Sequence, residues 1–160
     1  MGHVRSNREL VTRLAAVPAL ILAACGSSAS PSAASSPSPA PSPTVVVATV
    51  SVAGTSEQAL TTPAGLTLYY LTSDVAATPK CSATCLTHWP PLLATGTPVL
   101  PSGVSGMLTV VQNSNGSQVA YNGHILYTFA NDKAQGDSKG EGISAFGGTW
   151  HAATPGLTVM

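Results

Sequence analysis

The residues with the readiest chemistry in this chain are its three cysteines and four histidines. Cys25 closes the run Leu22-Ala23-Ala24-Cys25 and is followed by Gly26. An apolar residue, two small residues and a cysteine make a lipobox. The thiol takes diacylglycerol, and the small residues fit the peptidase that cuts before Cys25. Cys81 and Cys85 are an even pair, which outside the cytoplasm reads as a disulfide. On a helical turn their Cα atoms would lie about 6 Å apart, within disulfide range. Closing so small a loop contributes only about 2 kcal/mol in the chain-entropy picture, so its effect would be to pin the loop before Trp89. The rival is redox activity, but the spacing is not Cys-x-x-Cys and the nearby base is Lys80. Covalent haem attachment fails as well, because His88 does not directly follow Cys85.

His88, His124 and His151 lie beyond the signal, and His88 and His151 adjoin Trp89 and Trp150. With Met107 they are weak candidates for copper, zinc or haem, since no pair has a recognisable ligand spacing. Turn or surface histidines are the expectation, with no cofactor. Asp74 and Asp132 each follow a Tyr-bearing apolar stretch. An Asp just past a strand end commonly accepts backbone N–H bonds in a turn. A shared cation site is disfavoured, because hard cations want six or more oxygens and the other acids are scattered. No serine sits in a nucleophile elbow and no acid–base pair stands out, so no enzyme is expected. The glycines of 136–148 lack a phosphate-loop ending and read as a mobile loop.

These residues need elements to position them. Arg5, Arg8 and Arg13 precede an uncharged apolar run, Leu14–Ala24. The run is too short to span a bilayer, which needs about 20 residues, but it suits a secretory signal. Residues 26–44 hold 8 Ser, 5 Pro and 4 Ala, with nothing to bury. The expected organisation is therefore a signal peptide at 1–24, the lipidated Cys25 with a disordered tether at 25–44, and a folded domain at 45–160. That domain carries Lys80, Lys133 and Lys139 against Glu57, Asp74, Asp132, Asp137 and Glu141, a net charge of −2. Such a surface cannot neutralise a row of phosphates, which excludes nucleic acid.

The domain is rich in Val, Thr, Gly, Pro and Ser and shows no long helical periodicity, which predicts a small, mainly β antiparallel fold. Strands are predicted at 44–52, 57–62, 66–71, 107–112, 117–121 and 124–129. A closing pair is predicted from 149–153 and 157–160, and one helical turn near 82–88. Asn122-Gly123 is the strongest turn signal. Tyr69 and Leu71, like Tyr127 and Phe129, are spaced to share one strand face, and that face is expected to be core.

Aligning Gly65 with Gly123 brings out a repeat. Gly65, Leu68, Tyr69 and Asp74 recur as Gly123, Leu126, Tyr127 and Asp132, and each copy is followed by a tryptophan, Trp89 or Trp150. Repeats are placed at about 57–95 and 107–155. The first also has Cys81, Cys85, Trp89, Pro90, Pro91 and Leu92; the second has Gln118, Tyr121, Asn122, Phe129 and Gly148. In these motifs the chain resembles the bacterial secreted-repeat lipoproteins, tandem repeats with a Tyr-x4-Asp or Tyr-x-aromatic-x-x-Asp pattern and no assigned function. Leu71 departs from the pattern, which wants an aromatic there. The resemblance implies a lipoprotein with two repeats and adds no catalytic residue. The expectation is an extracytoplasmic protein anchored to the cell membrane through Cys25, a binding or structural module for an envelope component or protein partner. The alternative is an extracytoplasmic redox or metal/haem-associated lipoprotein.

Overall fold

Val46–Val52 is an uncharged Val/Thr-rich run, and branching at Cβ favours extended backbone. It forms β1, which pairs antiparallel with β2 (Thr55–Thr61). The structure, a computed structural model, describes residue 42 and residues 44–75 and 78–160. The signal segment, Cys25 and most of the tether lie outside the described residues. After β2 come β3 (Tyr69–Leu71), the single turn α1 (Cys85–His88), β4 (Leu108–Asn113), β5 (Gly116–Tyr121), β6 (His124–Ile125), β7 (Ser144–Ala145) and β8 (Gly148–Ala152). They make three small antiparallel sheets, in the orders β1-β2, β3-β8-β7 and β4-β5-β6. The fold is mainly β, as the composition predicts.

Two-residue turns close the β1–β2, β5–β6 and β7–β8 hairpins, at Ala53-Gly54, Asn122-Gly123 and Phe146-Gly147, all with positive φ. Asn-Gly suits that left-handed geometry and is visible in sequence. Ala53 and Phe146 tolerate it poorly, which is why their turns were not legible.

Two sets of matching hydrogen bonds hold the domain together. Leu60 N–H donates to Ala153 O (2.7 Å), and Val119 N–H to Leu92 O (2.8 Å). Leu68 N–H donates to Leu60 O (2.9 Å), and Leu126 N–H to Val119 O (2.9 Å). Ala153 N–H donates to Leu68 O (2.8 Å), and Leu92 N–H to Leu126 O (2.9 Å). At the centre, Tyr69 and Tyr127 exchange backbone bonds of 2.8 and 2.9 Å. The β1–β2 hairpin and the Tyr69 strand therefore pair with the Trp150 segment, while the β4–β5 hairpin and the Tyr127 strand pair with the Trp89 segment. Each half of the domain borrows its closing strand from the other half of the chain. This equivalence includes β1 as the counterpart of β4, so it reaches further toward the N-terminus than residue 57.

Period-2 alternation splits the buried side chains into two clusters. Leu60, Leu68, Val119 and Leu126 join one, and Ala59, Tyr69, Ala120 and Tyr127 join the other. Leu71 and Phe129 are buried beside their tyrosines, as the spacing predicts. The predicted closing pair does not form. β8 has β3 on one edge and β7 on the other, so no edge remains for residues 157–160. That segment instead lies along the β5–β6 turn: Met160 N–H donates to Asn122 O (3.1 Å) and Asn122 Nδ2 to Leu157 O (2.7 Å). The glycine-rich stretch 136–148, expected as a mobile loop, contains β7 and is tied to β1 through Ser51 N–H to Gly136 O (3.1 Å).

Candidate functional site

The repeated tyrosines, aspartates and tryptophans meet at the centre of the fold. Trp89 and Trp150 stack with centroids 3.7 Å apart and planes within 2°. Tyr69 meets Trp89 edge-on at 5.4 Å, and Tyr127 meets Trp150 edge-on at 5.1 Å. Phe129 stacks on Trp89 at 4.3 Å. Edge-on and offset contacts of this kind suit the ring quadrupole. Cα of Gly140 approaches so closely that a Cβ there would lie 2.8 Å from Trp89 and 2.9 Å from Tyr69.

The aspartates act across the molecule. Tyr127 Oη donates to Asp74 Oδ2 (2.7 Å) and Tyr69 Oη to Asp132 Oδ2 (2.7 Å). The other carboxylate oxygens accept loop amides, Lys80 N–H at 2.6 Å and Lys139 N–H at 3.0 Å. Turn capping is thus present, but the purely local role expected for these residues is corrected: each Asp also holds the tyrosine of the other half. The cause is the central Tyr69–Tyr127 backbone pair, which carries each tyrosine to the opposite loop. Burial, then the bonded aspartate, pushes both tyrosine hydroxyls far above their ordinary value. Burial also raises the Asp74 carboxyl, against the hydrogen bonds from Tyr127 and Lys80. All six side chains are buried. Both oxygens of each carboxylate are occupied, so this cluster positions strands, while Trp150 Nε1 is left without a hydrogen-bond partner within it.

Cys81 and Cys85 form a disulfide with Cα atoms 5.3 Å apart, both buried against the Trp89 cluster. It braces the segment that crosses into the other half. Non-reducing mass spectrometry of the exported protein should give a mass two hydrogens below the dithiol, and native alkylation should fail. Two readily alkylated thiols would contradict this arrangement.

The histidines separate. His88 is exposed on α1. His124 and His151 both lie against Tyr70, with ring centroids 4.7 and 5.9 Å from it. Tyr70 faces His151 across the β3–β8 register. His151 Nδ1 lies 2.7 Å from Glu141 Oε1, and Glu141 Oε2 accepts Ala152 N–H at 2.6 Å. Burial and the Glu141 carboxylate push the Tyr70 hydroxyl up. Tyr70, Glu141 and His151, but not His124, border a cavity of 330 Å³ whose wall also includes Val52, Glu57, Ala152, Thr154 and Leu157. A larger groove of 590 Å³ at Val46, Val47, Pro101 and Val104 has no titratable group in its wall. Among the described residues, no three His, Cys, Asp or Glu side chains are arranged to hold a metal ion.

The Tyr70 cavity is polar on one half of the scaffold only. By the matching hydrogen bonds, Thr128 stands where the other half has Tyr70, Pro90 where it has His151, and Gly116 where it has Glu57. The Tyr, Asp and Trp of the central cluster are present twice; this cluster, like the Cys81–Cys85 disulfide, is present once. Sequence reasoning singled out His151 but missed Glu57, Tyr70 and Glu141, which are far apart in the chain and share no motif.

The second half carries a likeness to known proteins. Residues 109–154 match a family described as a secreted repeat of unknown function. The matched stretch runs from β4 through β8 and contains Tyr127, Asp132 and Trp150. No curated protein and no solved structure matches the chain. A secreted repeat belongs outside the cytoplasm, and the Cys81–Cys85 disulfide agrees with an oxidising compartment. No helix among the described residues is long and apolar enough to cross a membrane.

Proposed function

We propose that this chain is a lipid-anchored extracytoplasmic binding module of the cell envelope, built from two interlocked repeats. The observation that carries the binding role is the Tyr70 cavity. Its polar groups are absent from the equivalent place in the other half, so the shared architecture does not need them. The lipobox at Cys25 supports the anchor, and the net charge of the domain supports a partner other than nucleic acid. The redox or metal alternative draws less support, because the disulfide sulfurs are buried within the Trp89 cluster.

The two parts of the proposal are tested separately. Cys25→Ala should leave the protein uncleaved or release it from the membrane fraction, with loss of fatty-acid labelling; normal labelling would sink the anchor. For the binding role, amide NMR shifts should move at Tyr70, His151 and Ala152 when fragments of envelope material are added. Shifts confined to other surfaces would place the function elsewhere.

A further inference from the structure

The Tyr70 cavity has a chemical preference that can be read from which of its polar groups are already engaged. Both Glu141 oxygens are used, on His151 and on Ala152 N–H. With Glu141 at Nδ1, the neutral form of His151 is the Nδ1–H tautomer, in which the Nε2 lone pair can accept. His151 is 38% exposed at its side chain, which leaves that lone pair reachable. The Tyr70 hydroxyl and the Glu57 carboxylate have no hydrogen-bond partner among the described residues, and Glu57 is exposed on β2. The unengaged groups are therefore the Glu57 carboxylate, which only accepts, and the His151 Nε2, Tyr70 phenol and Thr154 hydroxyl, each of which can accept. No lysine lines the cavity. Val52, Ala152 and Leu157 supply apolar wall. A volume of 330 Å³ suits a compact group at the small end of ligand pockets.

An ammonium group carries three donors, no acceptor and a positive charge. We propose that this cavity binds an alkylammonium group of the kind a lysine-type side chain presents, with Glu57 as counter-charge, Tyr70 and His151 accepting hydrogen bonds, and the apolar wall covering the alkyl stem. This rests on the binding-module reading and gives it a ligand class. A simple anion would meet two carboxylates and no cation, and an uncharged alkyl group would leave the acceptors unpaired.

The test follows amide shifts of the exported protein as n-butylammonium, 1-butanol and acetate are each added at constant ionic strength. Saturable shifts at Tyr70, His151 and Ala152 are expected with n-butylammonium and not with the other two. Glu57→Gln should weaken that binding by about threefold, the scale of an exposed charge pair. Its unfolding midpoint should match the parent, because Glu57 is exposed. Tighter binding of Nα-acetyllysine N-methylamide than of n-butylammonium would assign the amine to a peptide; equal binding would assign it to free amines. An equal response to 1-butanol, or unchanged affinity in Glu57→Gln, overturns the ammonium assignment and leaves the binding module standing. No response of the cavity to these probes overturns the ammonium assignment, and no response to envelope fragments either overturns both.

Discussion

Cutting the chain between its halves should leave a complex that holds together but whose separated pieces cannot fold. Ser102 and Gly103 are exposed in the segment between the halves, and a Cβ on Gly103 would meet nothing within 4 Å. A protease site inserted there should be accepted. After cleavage the two fragments should co-elute in native gel filtration. Separated in denaturant and returned to buffer alone, each should lack the circular-dichroism signature of the intact domain, and mixing should restore it. The reason is the exchange of closing strands. The first fragment would hold the Leu60–Leu68 edge without the Ala153 strand, and the second the Val119–Leu126 edge without the Leu92 strand. Each would also expose one face of the Trp89–Trp150 stack and lose both Tyr–Asp bonds. A domain of this size has a net stability of about 5–15 kcal/mol, and losing its central interface exceeds that margin. A fragment that folds alone as a monomer would show that the exchange is not needed for folding.

The second large effect is expected at the crossed Tyr–Asp pairs. Asp74→Ala strands one buried donor, Tyr127 Oη, and unties the part-buried Lys80 N–H, which water can reach. An unsatisfied buried hydroxyl costs about 1–3 kcal/mol, so the variant should lose about 2 kcal/mol in denaturant unfolding. A double-mutant cycle of Asp74→Ala with Tyr127→Phe should give a coupling of about 1–3 kcal/mol, whereas Asp74→Ala with Tyr69→Phe should couple less. Equal coupling in the two cycles would contradict the crossed pairing. Acid also distinguishes the roles. Burial holds the Asp74 carboxyl above its ordinary value of 3.8 in the native state. Its contribution is therefore fully present below the unfolded value and is lost as pH rises through the raised native one. Asp74→Asn should flatten that part of the stability profile and cost less than Asp74→Ala. An unchanged profile would show that Asp74 does not titrate between the two states.

The physical coupling of the halves explains why so costly a buried arrangement is kept. Two small hairpins cannot bury enough apolar surface separately. Exchanging a strand and a carboxylate lets each cover the other's aromatic face. The disulfide fixes one of the crossing segments, and the Gly140 backbone admits the rings that fill the centre. The outer surface is then available for the Tyr70 cluster, which the other half does not repeat.

Much of this was legible in the residues alone. Apolar alternation marked most of the strands and the buried face of Tyr69, Leu71, Tyr127 and Phe129, because side chains alternate across a strand whatever its partner. Asn122-Gly123 announced its turn, the Cys81–Cys85 spacing its bridge, and the Gly-Leu-Tyr-Asp recurrence its two copies. Tertiary structure alone decided which strand lies beside which. Local periodicity specifies the face a residue uses and is silent about its neighbour, so the exchange of the Trp89 and Trp150 segments, and the reach of each Asp to the other half's Tyr, had no signature in the chain. The same holds for the Tyr70 cavity. His151 was visible as a histidine, but the roles of Glu57, Tyr70 and Glu141 arise only where β2, β3, β8 and the loop before β7 converge, and convergence of distant segments is set by packing rather than by spacing.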